Sequence, residues 1–165
     1  MWRTHEPHAR VVECARVPEC RASAIYLARV PVGSMGNLGA YAYWQSGGGW
    51  GHASSAGVVI TGSVGELSAM WLGAPGGPVT VCYCDYDGLL IAGPWLVCQT
   101  AAHPTAPFGN YTVVMTNSYQ PWYQDPSWTG IYGGYLVGGW NAAGVPSTKL
   151  LVSVWVPYRV FALDW

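Results

Sequence analysis

The side chains able to carry chemistry in this sequence are few and widely spaced. Its histidines are His5, His8, His52 and His103. His52 stands beside Ser54 and Ser55 in a glycine-rich stretch. A Ser/His nucleophile pair also needs an orienting acid and an oxyanion hole, and no Gly-x-Ser-x-Gly elbow is present. His103-Pro104 reads as a loop, and His5 and His8 belong to a charged N-terminal stretch. Asp85 and Asp87 lie two apart, which on an extended chain points them to one side. Glycosidases instead need two acids of different pKa, about 5–10 Å apart across a cleft. Asp-x-Asp-Gly is good turn chemistry, and a calcium site requires a loop richer in ligands. The sequence therefore leads us to expect no catalytic residue, no metal, no cofactor and no enzymatic activity.

The cysteines read the same way. There are five, an odd number, and the chain start lacks the apolar core of a signal peptide, which argues against a disulfide framework. Cys14 and Cys20 sit in the charged N-terminal segment. Cys82, Cys84 and Cys98 sit in apolar runs, where buried thiols act as small hydrophobes. Cys82-x-Cys84 lacks the ligand pairs of a zinc site. Asn110-Tyr111-Thr112 matches a glycosylation sequon, and without a secretory signal it reads as coincidence.

Recognition is better supported than catalysis. The run Tyr119-Gln120-Pro121-Trp122-Tyr123-Gln124-Asp125-Pro126-Ser127-Trp128 concentrates aromatic rings beside amides and a carboxylate. Such rings dominate protein interfaces, and they also stack on sugar faces. Trp50, in the loop Gln45–Gly51, is of the same kind. The expected assembly or recognition residues are Trp50, Tyr119, Trp122, Tyr123 and Trp128. Trp44, Trp71, Trp95, Trp140 and Trp155 fall in strand-like runs and read as core or sheet-face residues.

Between Val30 and Gln124 the charged side chains are Glu66, Asp85 and Asp87 alone. Only 9% of the chain is charged, whereas a free-standing domain keeps about 25–35% of its surface as charge. Most of this surface is therefore expected to be covered. The formal net charge is −1 with a single lysine, Lys149, so a strong electrostatic hold on nucleic acid is not supported. Gly, Pro, Ser and Asn interrupt every apolar run before it reaches the ~20 residues of a membrane helix.

The elements that must position these residues are short. The 22 Gly and 12 Pro leave no apolar stretch with helical period. Short β-branched and aromatic runs recur between turn clusters, the pattern of an antiparallel β-sandwich. Strands are expected at Ser23–Val30, Leu38–Trp44, Gly57–Gly62, Leu67–Leu72, Val79–Cys84, within Leu89–Gln99, and at Tyr111–Thr116. Gly134–Trp140, Lys149–Val156 and Tyr158–Trp165 complete the set. Residues 1–22 read as an extended arm, with Ala9–Arg21 as arm or edge strand, and residues 23–165 as one domain.

Roughly half of the chain resembles a viral jelly-roll coat protein of the picorna-like kind, the picornavirus and secovirus type. The resemblance is carried by Gly134-Tyr135-Leu136-Val137, Trp140-Asn141, Leu150-Leu151-Val152-Ser153-Val154-Trp155-Val156 and the tail Phe161-Ala162-Leu163-Asp164-Trp165. The stretch Leu67–Cys84, with its Gly-rich turn, is similar to another part of such proteins. The resemblance implies a jelly roll of about eight strands in two sheets. It implies a capsid subunit that self-assembles into the icosahedral shell of a small non-enveloped RNA virus. Its setting would be the virion, assembled in host cytoplasm. Its partners would be many copies of itself and sister capsid proteins, with a host receptor or glycan outside and no membrane. Contact with packaged RNA would be weak, because Arg3, Arg10, Arg16, Arg21 and Arg29 are offset by Glu6, Glu13 and Glu19. Obligate interfaces bury about 2,000 Å² or more and resemble a core cut in half, which suits a charge-poor, Trp-rich sandwich. The alternative is a carbohydrate-binding, lectin-like β-sandwich using its aromatic loops.

Overall fold

The structure, a computed structural model, describes residues 9–12, 23–72, 76–86, 95–116, 131–140, 146–154 and 159–164. The strands in chain order are β1 (Ala9–Val12), β2 (Ser23–Arg29), β3 (Ala42–Trp44), β4 (Trp50–Gly51), β5 (Val58–Trp71) and β6 (Val79–Asp85). They continue as β7 (Trp95–Ala101), β8 (Thr112–Met115), β9 (Ile131–Trp140), β10 (Pro146–Val154) and β11 (Arg159–Asp164). Short 3-10 turns interrupt the chain at Val32–Ser34, Leu38–Ala40 and Ala53–Ser55. Among the described residues no helix is long and apolar enough to cross a membrane.

The strands form two antiparallel sheets, the β-sandwich that the short apolar runs predict. The large sheet runs β4-β3-β2-β5-β6-β7-β8, with β1 also paired to β2, and the small sheet runs β11-β10-β9. Tyr26 of β2 pairs with Val12 of β1 and with Val58 of β5, so these two strands lie on opposite edges of β2. Part of the expected arm is thus an edge strand. Pairs join chain neighbours throughout, except that β2–β5 skips the β3–β4 hairpin. The chain-distant pairs that mark Greek keys, the finer signature of a jelly roll, are not among the described pairings.

Several expected strands shift their bounds. Leu38–Ala40 is a 3-10 turn rather than strand, its first N–H groups served by Asn37, whose side chain accepts from Gly39 N at 3.0 Å. Gly57–Gly62 and Leu67–Leu72 are one strand, β5. Its first half pairs with β2 and its second with β6, and Val64 pairs with both Ser23 and Asp85. Register shifts between Val64 and Leu67 let it bend there. Gly65 fits the bend because the Tyr86 ring occupies the place of a Cβ, 2.1 Å away.

β6 is buried on both faces. Its alternation sends Cys82 and Cys84 to one side and Val81 and Tyr83 to the other. The first side meets the small sheet: Cys82, Cys84, Leu96 and Cys98 pack with Leu136, Leu150, Val152 and Val154. A hydrogen bond from Leu136 N to Ser68 Oγ, 3.0 Å, ties the sheets together. The second side holds a separate cluster, Ile25, Ile60, Val64, Val81, Tyr83 and Val97, with Phe108 packed on it from the connection after β7.

Cys82 and Cys98 stand directly opposite in the β6–β7 register and are joined by a disulfide. This corrects the expectation of buried thiols at both positions: antiparallel pairing brought together two cysteines that are 16 residues apart. Cys84 is a buried free thiol.

Candidate interaction surfaces

Among the described residues two surfaces stand out beyond the core. The first is the concave second face of the large sheet. There the strands curve around a hollow of about 260 Å³. Ile25 and Leu27 of β2, Ile60 and Leu67 of β5, Val81 of β6 and Phe108 form much of its wall, and no charged, amide or hydroxyl side chain lines it.

At the end of this face sits an aromatic and cationic group. Arg29 follows Leu27 on the same face of β2. Its guanidinium carbon lies 4.5 Å from the centroid of Trp50. Trp44 pairs with Trp50 across the β3–β4 hairpin and meets it edge-on, centroids 5.4 Å apart. Glycines at positive φ, Gly48 and Gly49, turn this hairpin. Trp50 was expected at an interface or on a sugar, and it is half-buried with one ring face covered by Arg29. Tyr119, Trp122, Tyr123 and Trp128 lie outside the described residues.

The second surface is the outer face of the small sheet. Register places Tyr135, Leu151 and Ala162 in one row and Val137, Lys149 and Asp164 in the next. Val160 lies opposite Ser153 on the same side. The alternate residues Leu150 and Val152 face the core and are fully buried. The outer face therefore carries exposed Tyr135, Val137 and Val160, the last 54% exposed. Among the described residues its ion pair is Lys149–Asp164, and exposed pairs of this kind contribute little to stability. Among the described residues no strand pairs with the far side of β11.

The residues weighed for chemistry fall elsewhere. Ser55 Oγ donates to the main-chain oxygen of His52 at 3.2 Å, as does Gln45 Nε2 at 3.3 Å, so the serine serves a local turn. His103 Nδ1 lies 2.9 Å from Thr105 Oγ1 and accepts from Thr105 N at 3.3 Å, again within a turn. Asp85 ends β6, and Asp87, His5, His8, Cys14, Cys20 and Trp155 lie outside the described residues. Among the described residues no group of three or more His, Cys, Asp or Glu is placed to hold a metal ion. Cys84 is pushed up from 9.0 to about 12, first by burial and then by the charge of Glu66. A thiol so placed stays protonated and inert at neutral pH.

Sequence reasoning missed both the hollow and the Arg29–Trp50 contact. The hollow draws on strands far apart in the chain, and Arg29 reads from sequence only as a member of the Ser23–Val30 strand and one of the arginines offset by glutamates. The alternation of β2, with Ile25, Leu27 and Arg29 on one face, was the available signal.

Fold and surfaces together define an all-β sandwich module whose described residues form an apolar hollow and an apolar outer sheet face. Residues 7–164 match DUF4185, described as a domain of unknown function, and the chain belongs to that family. No curated protein matches the sequence.

Proposed function

We propose that the chain is a non-catalytic structural module that works by assembly, burying the outer face of its small sheet against copies of itself. The observation that carries this reading is the apolar outer face formed by Tyr135, Val137, Leu151 and Val160. An apolar sheet face rimmed by few charges is what an obligate interface requires.

The specific form of this proposal rests on the sequence resemblance: a coat subunit that self-assembles into the icosahedral shell of a small non-enveloped RNA virus. The two-sheet antiparallel sandwich supports it, and the meander winding adds nothing to it. The Cys82–Cys98 bridge suits a particle that meets an oxidising exterior better than one confined to cytosol. Sister coat proteins and loosely held RNA would be the remaining partners. The carbohydrate-binding alternative draws little from the hollow, whose wall carries no charged, amide or hydroxyl side chain.

Light scattering and negative-stain microscopy of the purified chain test the proposal. The expected result is a large particle of uniform size. A monodisperse monomer at high concentration in plain buffer overturns it.

A further inference from the structure

A sheet face that is both hollow and bounded by one cation has a definite ligand chemistry. The hollow of about 260 Å³ lies at the small end of ligand sites, which run to roughly 300–1,000 Å³. Its wall is mostly hydrocarbon and aromatic carbon, with the Met70 thioether and the Trp71 indole as its side-chain heteroatoms, so it rewards an apolar group. Arg29 stands one strand repeat beyond Leu27, about 7 Å along β2 on the same face. Its guanidinium carbon sits over the Trp50 ring. A guanidinium held over a ring can still present N–H donors, the groups that grip a carboxylate in a two-point fork. Among the described residues no carboxylate forms an ion pair with Arg29.

We infer that the concave face of the large sheet is a binding site for a small amphipathic anion, a medium-chain carboxylate, whose hydrocarbon tail fills the hollow while its carboxylate pairs with Arg29 over Trp50. The tail loses water against Ile25, Leu27, Ile60 and Val81. The head stays at the rim, where Arg29 is half-buried and the charge is never carried into the apolar interior. Tail and head thus make separable contributions, and a ligand with only one of them binds weakly. The site is on the opposite side of the large sheet from the small sheet, so it does not depend on the assembly surface.

The test is calorimetric titration of the whole chain with octanoate, octanol, octylammonium and acetate, with tryptophan fluorescence followed in parallel. Octanoate is expected to bind about fivefold tighter than octanol, the size of effect that a partly exposed charge pair supports. Octylammonium should bind more weakly than octanol, and acetate should show no saturable heat. Arg29→Gln is expected to bring octanoate down to the affinity of octanol while leaving octanol unchanged. Ala69 lines the hollow from an exposed position. Ala69→Phe is therefore expected to fill the space without unfolding the chain, which circular dichroism checks, and to abolish binding of octanoate and octanol alike. The inference is overturned if octanol or octylammonium matches octanoate, if acetate alone binds as well, if Ala69→Phe leaves binding intact, or if no probe binds. Particle size measured on the same samples reports on the assembly reading independently.

Discussion

Gly134 of β9 lies so close to Leu96 of β7 that a Cβ on the glycine would stand 2.4 Å from Leu96 Cδ1. This contact sets how closely the two sheets approach. Leu96 is fully buried and boxed in by the inter-sheet core, so it has no free space to turn into. Gly134→Ala is expected to cost about 1–3 kcal/mol by overpacking, read as a lower urea midpoint. Leu96→Val in the same chain should recover part of that loss, and a double-mutant cycle measures the coupling. Strict additivity would mean that the two residues do not meet.

Ser68 makes the polar contact between the sheets by accepting the N–H of Leu136. That N–H points away from the β9–β10 ladder and depends on the serine. Ser68→Ala should leave it without a partner at a cost of about 1–3 kcal/mol. Hydrogen exchange at the Leu136 amide should quicken more than at Leu150, which sits opposite it in the ladder. Equal changes at both would point to global loosening instead.

The Cys82–Cys98 bridge closes a loop of 16 residues. Constraining an unfolded loop of that length stabilises by about 3 kcal/mol in the chain-entropy account. A chain carrying Ala at both positions should therefore unfold at clearly lower denaturant. Alkylation of the unreduced, denatured protein should modify Cys84 and spare Cys82 and Cys98. Labelling of all three would show that the bridge does not form.

The β-class of the fold was legible because it depends on local pattern. The alternation of Val79, Val81 and Tyr83 against Cys82 and Cys84 predicts β6, and the apolar run through Leu150 and Val152 predicts β10. What stayed hidden depends on register. Cys82 and Cys98 become partners only once β6 and β7 are aligned. The two glycine-bounded runs of β5 read as separate strands because Gly62 and Gly65 resemble turns when the Tyr86 ring beside Gly65 is not known. The site was hidden for the same reason. Arg29 and Trp50 are 21 positions apart in sequence and meet only through the pairing of Arg29 with Ala42 and of Trp44 with Trp50.

Cys84 gives a pH prediction. Its thiol is raised from 9.0 to about 12, by burial first and by Glu66 second. The folded state therefore holds this proton more tightly than the unfolded state, and stability falls as pH rises wherever the unfolded chain has already lost it. The contribution is complete below about pH 9 and disappears as pH climbs toward 12. Denaturant midpoints across that window should decline less steeply for Cys84→Ala than for the native chain, relative to each protein's value at neutral pH. Parallel curves would remove Cys84 from the account of alkaline unfolding.

Val160 provides the most direct check on how the small sheet is used. It is 54% exposed on the outer face, so a lysine there meets water in the isolated chain and should change folding stability by no more than about 0.5 kcal/mol. In the assembled state the same lysine would be driven into an apolar contact with no described carboxylate opposite it, since its register partner is Ser153. Burying an unpaired charge at an interface costs several kcal/mol after relaxation, enough to shift association by orders of magnitude. Val160→Lys should thus shrink the particle seen by light scattering while its urea midpoint stays near that of the native chain. Particles of unchanged size would mean that copies of the chain meet through some other surface.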